Sequence, residues 1–340
     1  MKYSFRNDYS EIAHSKVIQR LIECTSEQNI GYAEDNHTRN AINIIRKKSG
    51  VNCDVHFLLG GTQANMVVIS SSLRPYEAVI CAETGHINVH ETGAIEGQGH
   101  KCLACKCNDG KLTPFEIQKV LDTHIDCHMV KPKMVYISNP TELGTVYNKE
   151  ELMTLYKYCK NNNLYLFLDG ARLASALAST NLTFADLGKY TDVYYIGGTK
   201  CGAPFGEAVV INNDELKKEF RYCVKHYGAM YSKGFIQGII FEALLEDDTY
   251  INIGKHQNAM AKYLMDEIAK LGIPFKFQSV TNQIFPIVSY EIEAYIKKEY
   301  DFEVWEPNND KSNVIRLVTS FNTTQKNCTD FIEYLRNFRR

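Results

Sequence analysis

The sequence contains no apolar run approaching the ~18–20 residues that a membrane span requires. Its opening segment, Met1-Lys2-Tyr3-Ser4-Phe5-Arg6-Asn7-Asp8, lacks the apolar core of a secretory signal. A soluble, cytoplasmic protein is therefore expected. Neither charge dominates: 38 Lys and Arg stand against 40 Asp and Glu, a formal net charge of −2. No global field would draw such a chain onto nucleic acid or an anionic membrane. Internal repeats and low-complexity stretches are missing as well. With 44% hydrophobic and 23% charged residues over 340 positions, the composition is that of a folded globular protein, not a disordered one.

Several ligand-binding signatures are absent too. Neither GxGxxG nor GxxxxGK[ST] occurs, so a dinucleotide or nucleoside triphosphate is not indicated. There is no HExxH. The eleven cysteines are scattered and odd in number, and most have apolar or helical flanks, as at Cys24, Cys81, Cys159 and Cys223. That pattern reads as free buried thiols in a reducing compartment. The segment His100-Lys101-Cys102-Leu103-Ala104-Cys105-Lys106-Cys107 has CxxCxC spacing, but no second CxxC or HxxxH half follows to complete four ligands. We read it as thiols on a strand and its turn, and expect no metal.

What is present is an alternation. Short continuous apolar runs at Val55–Leu59, Ala78–Ala82, Met134–Ser138, Leu164–Leu168, Val193–Ile196 and Ala208–Ile211 are separated by helical patterns. Continuous hydrophobicity predicts strands buried on both faces, as in a parallel sheet sandwiched by helices. Helix starts are marked by Thr113-Pro114-Phe115-Glu116 and Asn148-Lys149-Glu150-Glu151, each a capping residue followed three positions later by a glutamate. These are the units of an α/β domain, expected over residues 1–245. Residues 246–340 change grammar, with a helix over Ala259–Leu271, strands around Ile284–Val288 and Val314–Thr319, and helices at Glu291–Tyr300 and Gln325–Phe338. A smaller α+β domain is expected there.

Ligands of open α/β sheets bind beyond the carboxyl ends of the strands, so the residues after each run are informative. After the first come Gly60-Gly61-Thr62-Gln63 and a helix pattern, whose bare N–H groups and dipole suit a phosphate. After the second, His86 and His90 stand four apart. The fourth run ends in Asp169-Gly170-Ala171-Arg172, a carboxylate that needs a cationic partner if buried. The fifth ends in Gly197-Gly198-Thr199-Lys200-Cys201-Gly202, a lysine walled by small residues, where desolvation would make the amine a nucleophile toward carbonyls. Singly each has an ordinary reading as tight turn, helix cap or surface lysine. Together they supply a phosphate cup, an anion for a pyridinium nitrogen and an amine for an aldehyde, the three groups that pyridoxal phosphate requires.

On these residues, with Arg6-Asn7-Asp8, Gly31-Tyr32-Ala33-Glu34-Asp35 and Ile315-Arg316-Leu317-Val318-Thr319, the chain resembles the low-specificity threonine aldolases. These lie within the β-eliminating lyase group of pyridoxal-phosphate enzymes with the aspartate-aminotransferase-like fold (fold type I). The resemblance implies a large, mostly parallel-sheet domain, a small C-terminal α+β domain, and retro-aldol cleavage of L-threonine or L-allo-threonine to glycine and acetaldehyde. It implies that Lys200 bonds the cofactor, that Asp169 pairs with the ring nitrogen and that His86 stacks on the ring. Gly61, Thr62 and Gln63 would line the phosphate end. Arg172 and Arg316 would hold the substrate carboxylate, with Asn7 a further substrate contact. His86 is the candidate base for the β-hydroxyl and His128 the second. A homodimer or homotetramer with sites at subunit interfaces is also implied.

Three positions depart from the family pattern: Asn7 replaces a serine, Thr199-Lys200-Cys201 replaces Ser-Lys-Gly, and Tyr227–Lys233 lacks the usual arginine. The same electron sink serves α,β-elimination or transamination of another small amino acid, so those activities remain alternatives. A catalytically silent domain that binds an amino acid or a partner chain is the third.

Overall fold

The computed structural model describes residues 2–338. The chain opens with β1 (Tyr3–Ser4), α1 (Ser15–Glu23) and α2 (Asn36–Ser49). Seven strands then form the central sheet: β2 (Asp54–Leu58), β3 (Glu77–Ala82), β4 (Cys102–Cys105), β5 (Lys131–Ser138), β6 (Tyr165–Asp169), β7 (Val193–Gly197) and β8 (Glu207–Ile211). Their order is β2-β8-β7-β6-β5-β3-β4. All six apolar runs are strands of this sheet. β8 alone is antiparallel to both of its neighbours. The link from β7 to β8 spans only residues 198–206, too short for the dozen or more residues of a parallel crossover. That tight return carries Lys200.

Alternate residues of each strand enter different cores. Val79, Tyr136, Phe167 and Tyr195 face one cluster, whereas Ile80, Ile137, Leu168 and Ile196 face the other. Burial on both sides accounts for the unbroken apolar runs. The two capping boxes form as expected, at Thr113 with Glu116 and at Asn148 with Glu151. Gly170 is needed for close approach, since a Cβ there would lie 2.0 Å from the Tyr195 carbonyl oxygen.

The C-terminal part holds a long helix (Thr249–Lys270), β9 (Gln283–Ile284), β10 (Ile287–Ser289), β11 (Tyr300–Asp301), β12 (Glu303–Asn309), β13 (Ser312–Val318) and a last helix (Gln325–Phe338). Here β10, β13 and β12 pair antiparallel, and β9 also pairs with β13. Two features differ from the expectation. β12 carries no apolar alternation, because it is an edge strand interrupted by register shifts around Glu306 and Pro307. The amino terminus also joins this part: β1 pairs parallel with β11, and Phe5 lies in the C-terminal core with Phe331 and Ile315. Residues 3–5 thus pack with the smaller domain although they precede the larger one.

Cys102 and Cys105 lie on β4, and the buried thiols of Cys105 and Cys107 donate to backbone carbonyls. All eleven cysteines are free, yet not all are buried: Cys127 is exposed, and Cys24, Cys102 and Cys223 are half-buried. No described helix is long and apolar enough to cross a membrane.

Candidate active site

A cavity of about 570 Å³ opens at the carboxyl ends of β5, β6 and β7 and is closed from the other side by β12 and β13 of the small domain. It lies where ligands of open α/β sheets bind. Lys200, Asp169, His86, Arg172, Arg316, Gly61 and Thr62 all line it. Residues as far apart in the chain as Arg6 and Arg316 therefore converge on one space.

One wall is the start of α3 (Gly61–Ser72), whose N-cap Gly60 provides no side-chain hydrogen bond. Its first N–H groups are thus bare and backed by the helix dipole, a ready anion site. Gln63, expected beside the phosphate, instead turns back, its Oε1 accepting from the Leu59 N–H at 3.0 Å. Asp169 ends β6 and is 4% exposed. Its carboxylate accepts from the Tyr136 hydroxyl at 2.5 Å, Asn65 Nδ2 at 3.2 Å and the Ala171 N–H at 2.9 Å, and also from the Tyr195 hydroxyl. Four donors compensate its burial.

Lys200 sits half-buried in the return after β7. Burial, reinforced by the nearby Arg172 charge, holds its amine below the ordinary lysine range. Glu207, which begins β8, accepts from the Gly198 N–H at 3.0 Å, and burial pushes its carboxyl up to about 8. His86 opens the short helix α4 (His86–Val89). Its Nδ1 lies 2.8 Å from Glu91 Oε1, which also accepts from Asn65 Nδ2 at 2.7 Å. Because a carboxylate only accepts, this contact places the proton on Nδ1 and leaves Nε2 as the acceptor nitrogen. His90 also lines the cavity, its ring 5.5 Å from that of His86.

The two arginines differ. Arg172 already binds Asp8 through two nitrogens, Nε at 2.7 Å and Nη2 at 3.0 Å, and Asp8 is fully buried. Arg316 lies over the Trp305 ring at 5.1 Å, pairs with Glu303 and donates to Gln283 at 3.3 Å. Its Nε is buried without a hydrogen-bond partner. The guanidinium as a whole lines the cavity and can offer a substrate carboxylate charge-assisted hydrogen bonds. Removing it by Arg316→Leu should cost about 1.5–3 kcal/mol of charge-assisted binding, a loss of roughly 10–150-fold in kcat/KM by the usual conversion. Most of it should appear in KM, and steady-state kinetics against amino-acid concentration would check this.

Besides Gln63, two expected residues do not reach this cavity. Asn7 Oδ1 accepts from the Tyr9 N–H at 3.0 Å and the Ser10 hydroxyl at 3.0 Å, so it caps a turn while its neighbours Arg6 and Tyr9 line the space. His128 lies in the exposed loop before β5, where its N–H donates to Asp126. A histidine matched on one position offered no packing signal to place it. Sequence reading missed Glu91, Asn65, Tyr136, Tyr195 and Asp8. These lie within strands, a helix, the bend after α4 or an N-terminal segment, where nothing local distinguishes a site residue from a core one.

The donor set fits pyridoxal phosphate: bare α3 amides for a phosphate, an amine for the aldehyde, an anion at the strand end and a flat imidazole beside them. Comparison with known proteins agrees. The Beta-eliminating lyase family description matches residues 12–291. A low-specificity L-threonine aldolase of Pseudomonas sp. (strain NCIMB 10558) is 36% identical over 277 residues, covering 80% of each chain. The solved threonine aldolase of Leishmania major superposes with a TM-score of 0.98 at 44% identity, covering 99% of this chain and 100% of that one. An aspartate aminotransferase double mutant of Thermus thermophilus shares the fold, with a TM-score of 0.69 at 13% identity over 98% of this chain and 91% of that one. The cavity chemistry, the fold and these likenesses point the same way, and the chain belongs to the β-eliminating lyase family.

Proposed function

We propose that this chain is a pyridoxal-phosphate-dependent aldehyde-lyase that cleaves L-threonine and L-allo-threonine to glycine and acetaldehyde. The observation that carries this reading is the convergence of Lys200, Asp169, the bare α3 amides, the His86–Glu91 pair and the Arg316 guanidinium on one cavity. Pyridoxal phosphate, when bound, supplies the electron sink that accepts the Cα–Cβ bonding pair. Gly61, Thr62 and their helix amides would hold its phosphate, Lys200 its aldehyde carbon and Asp169 its ring nitrogen.

The protein's own groups then do three things. Arg316 binds the substrate carboxylate and so orients the amino acid, with Trp305 and Glu303 fixing the guanidinium. Arg172, its fork held by Asp8, supplies positive charge at the same end and positions the N-terminal segment bearing Tyr9. His86 Nε2 takes the β-hydroxyl proton, while Glu91 stabilises the imidazolium that forms through Nδ1–H. We assign the base to His86 over His128, because one is in the cavity wall and the other is not. His86→Asn should lower kcat by roughly 10²–10⁴-fold, the range typical of a general base, while leaving the cofactor bound. Absorbance of the bound cofactor and kcat, measured on one preparation, separate the two effects.

The decisive assay follows acetaldehyde through alcohol dehydrogenase with L-threonine and L-allo-threonine, and measures glycine in parallel. Equal aldehyde and glycine support the reading. Ammonia and a keto acid instead would assign elimination, and no product from loaded enzyme would overturn the lyase reading. We further infer a homo-oligomer, dimer or tetramer, acting in the cytoplasm. The loop bearing Tyr32 is held by its own chain, the Tyr32 N–H donating to the Ser232 carbonyl at 3.0 Å, and its ring, 45% exposed, is the surface this reading sets against a second copy. Sedimentation of the holoenzyme as a monomer would refute it.

A further inference from the structure

Outside the cavity wall described above, the segment joining α1 to α2 gathers Cys24, Glu27 and His37, with one potential ligand atom from each within 4.8 Å of the others. Cys24 Sγ lies 3.8 Å from His37 Nε2, and the same nitrogen lies 2.7 Å from Glu27 Oε2. Thiolate, imidazole and carboxylate are donors that zinc accepts, and a tetrahedral ion at its usual bond lengths sets sulfur and nitrogen roughly 3.6 Å apart. The sulfur–nitrogen pair already has that spacing.

A second observation lies on the other side of the imidazole. His37 Nδ1 is 2.7 Å from Glu242 Oε2, and the second oxygen of Glu242 accepts from Asn40 Nδ2 at 3.1 Å. Metal-bound histidines characteristically give their other ring proton to a carboxylate, which fixes the tautomer and aims the free nitrogen at the ion. Glu242 stands on the helix Phe235–Leu245, which packs against both α1 and α2. Cys24 ends α1, its N–H tied to the Arg20 and Ile22 carbonyls, and His37 lies in the first turn of α2. Two ligands and their orienting carboxylate are thus carried by packed helices, and only Glu27, 43% exposed, comes from the loop. The lyase chemistry uses none of these residues.

We propose that Cys24, Glu27 and His37 bind one zinc-type divalent cation, with Glu242 orienting His37 and water completing the fourth position. Without the ion, the imidazole bridges Glu27 and Glu242. Burial works against its charge, but hydrogen bonds to the two carboxylates outweigh that and hold it above the ordinary histidine range. Binding forms one bond each to sulfur, nitrogen and oxygen, and the hexahydrated ion sheds all but one of its waters. The Cys24 thiol proton and the proton between His37 Nε2 and Glu27 leave to solvent, and nothing is oxidised. A site with three protein ligands and one water keeps an open position, so the ion should exchange with solution, and it would pin the loop that carries Tyr32.

The test uses holoenzyme stripped with EDTA, titrated with Zn²⁺ by calorimetry and with Co²⁺ by visible absorption to the red of the cofactor band. One site per chain is expected, with a sulfur ligand visible by zinc-edge X-ray absorption. Cys24→Ser should remove that sulfur and, like His37→Asn, weaken binding by at least tenfold. Glu242→Gln should weaken it by roughly 10–100-fold while the sulfur ligand remains. Bound cofactor absorbance in every variant certifies folding, and threonine cleavage should persist in all of them. Wild-type protein that binds no zinc would overturn the proposal and leave only an ion-pair bridge. Equal binding by Cys24→Ser and His37→Asn would overturn it by placing the ion elsewhere.

Discussion

Replacing Lys200 by alanine should abolish threonine cleavage, lowering kcat by at least roughly 10⁴-fold, the scale on which loss of a covalent catalytic group acts. It should also remove the visible absorption that a lysine-bound cofactor gives the purified protein. The residue stands in the short return between β7 and β8, half-buried, with its amine disfavoured as a cation by burial and by Arg172. Lys200→Arg should fail equally, because a guanidinium has no amine to bond an aldehyde carbon. Adding pyridoxal phosphate should then give weakly bound, exchangeable cofactor and no activity. A Lys200→Ala enzyme retaining normal turnover would remove Lys200 from the mechanism and leave the fold untouched.

Asp8→Ala should be the most destabilising change in the site. Asp8 is fully buried and holds Arg172 through two charge-assisted bonds, with Asn282 Nδ2 as a third donor at 2.9 Å. Breaking a buried ion pair from one side strands the other charge, at a cost of about 3–5 kcal/mol. The double variant Asp8→Leu with Arg172→Met should recover much of the thermal midpoint, since no buried charge then lacks a partner, yet remain inactive. If the single and double variants unfold at the same temperature, the stranded-charge account is wrong.

The pH dependence follows from the same pair. Burial raises the Asp8 pKa, but the Arg172 and Lys200 charges and the hydrogen bonds from Arg172 and Asn282 outweigh it and hold it below the ordinary aspartate range. A carboxylate with a depressed folded-state pKa adds stability that is fully present above its unfolded value. That stability is lost as pH falls through the folded one. Wild-type melting temperature should therefore drop steeply below about pH 4, and the drop should be shallower in the Asp8→Leu, Arg172→Met protein.

The sequence by itself determined the six doubly buried strands of the central sheet and the cofactor chemistry. The strands are legible because burial on both faces leaves unbroken apolar runs, and because residues after a strand end such as Asp169 and Lys200 stand out against them. Arg316 was found only through the family pattern around it, since one arginine on a strand has no local signature. What the tertiary structure decided is which side chains meet. Asp8 reaches Arg172 across 164 residues, His86 finds Glu91 and Asn65 inside a buried network, and Cys24 meets His37 only because α1 and α2 dock on one helix. It also removed Asn7, Gln63 and His128 from the cavity wall. Local periodicity records whether a residue is buried, not what it is buried against. The partner of a polar group is set by long-range packing, which has no period in the chain.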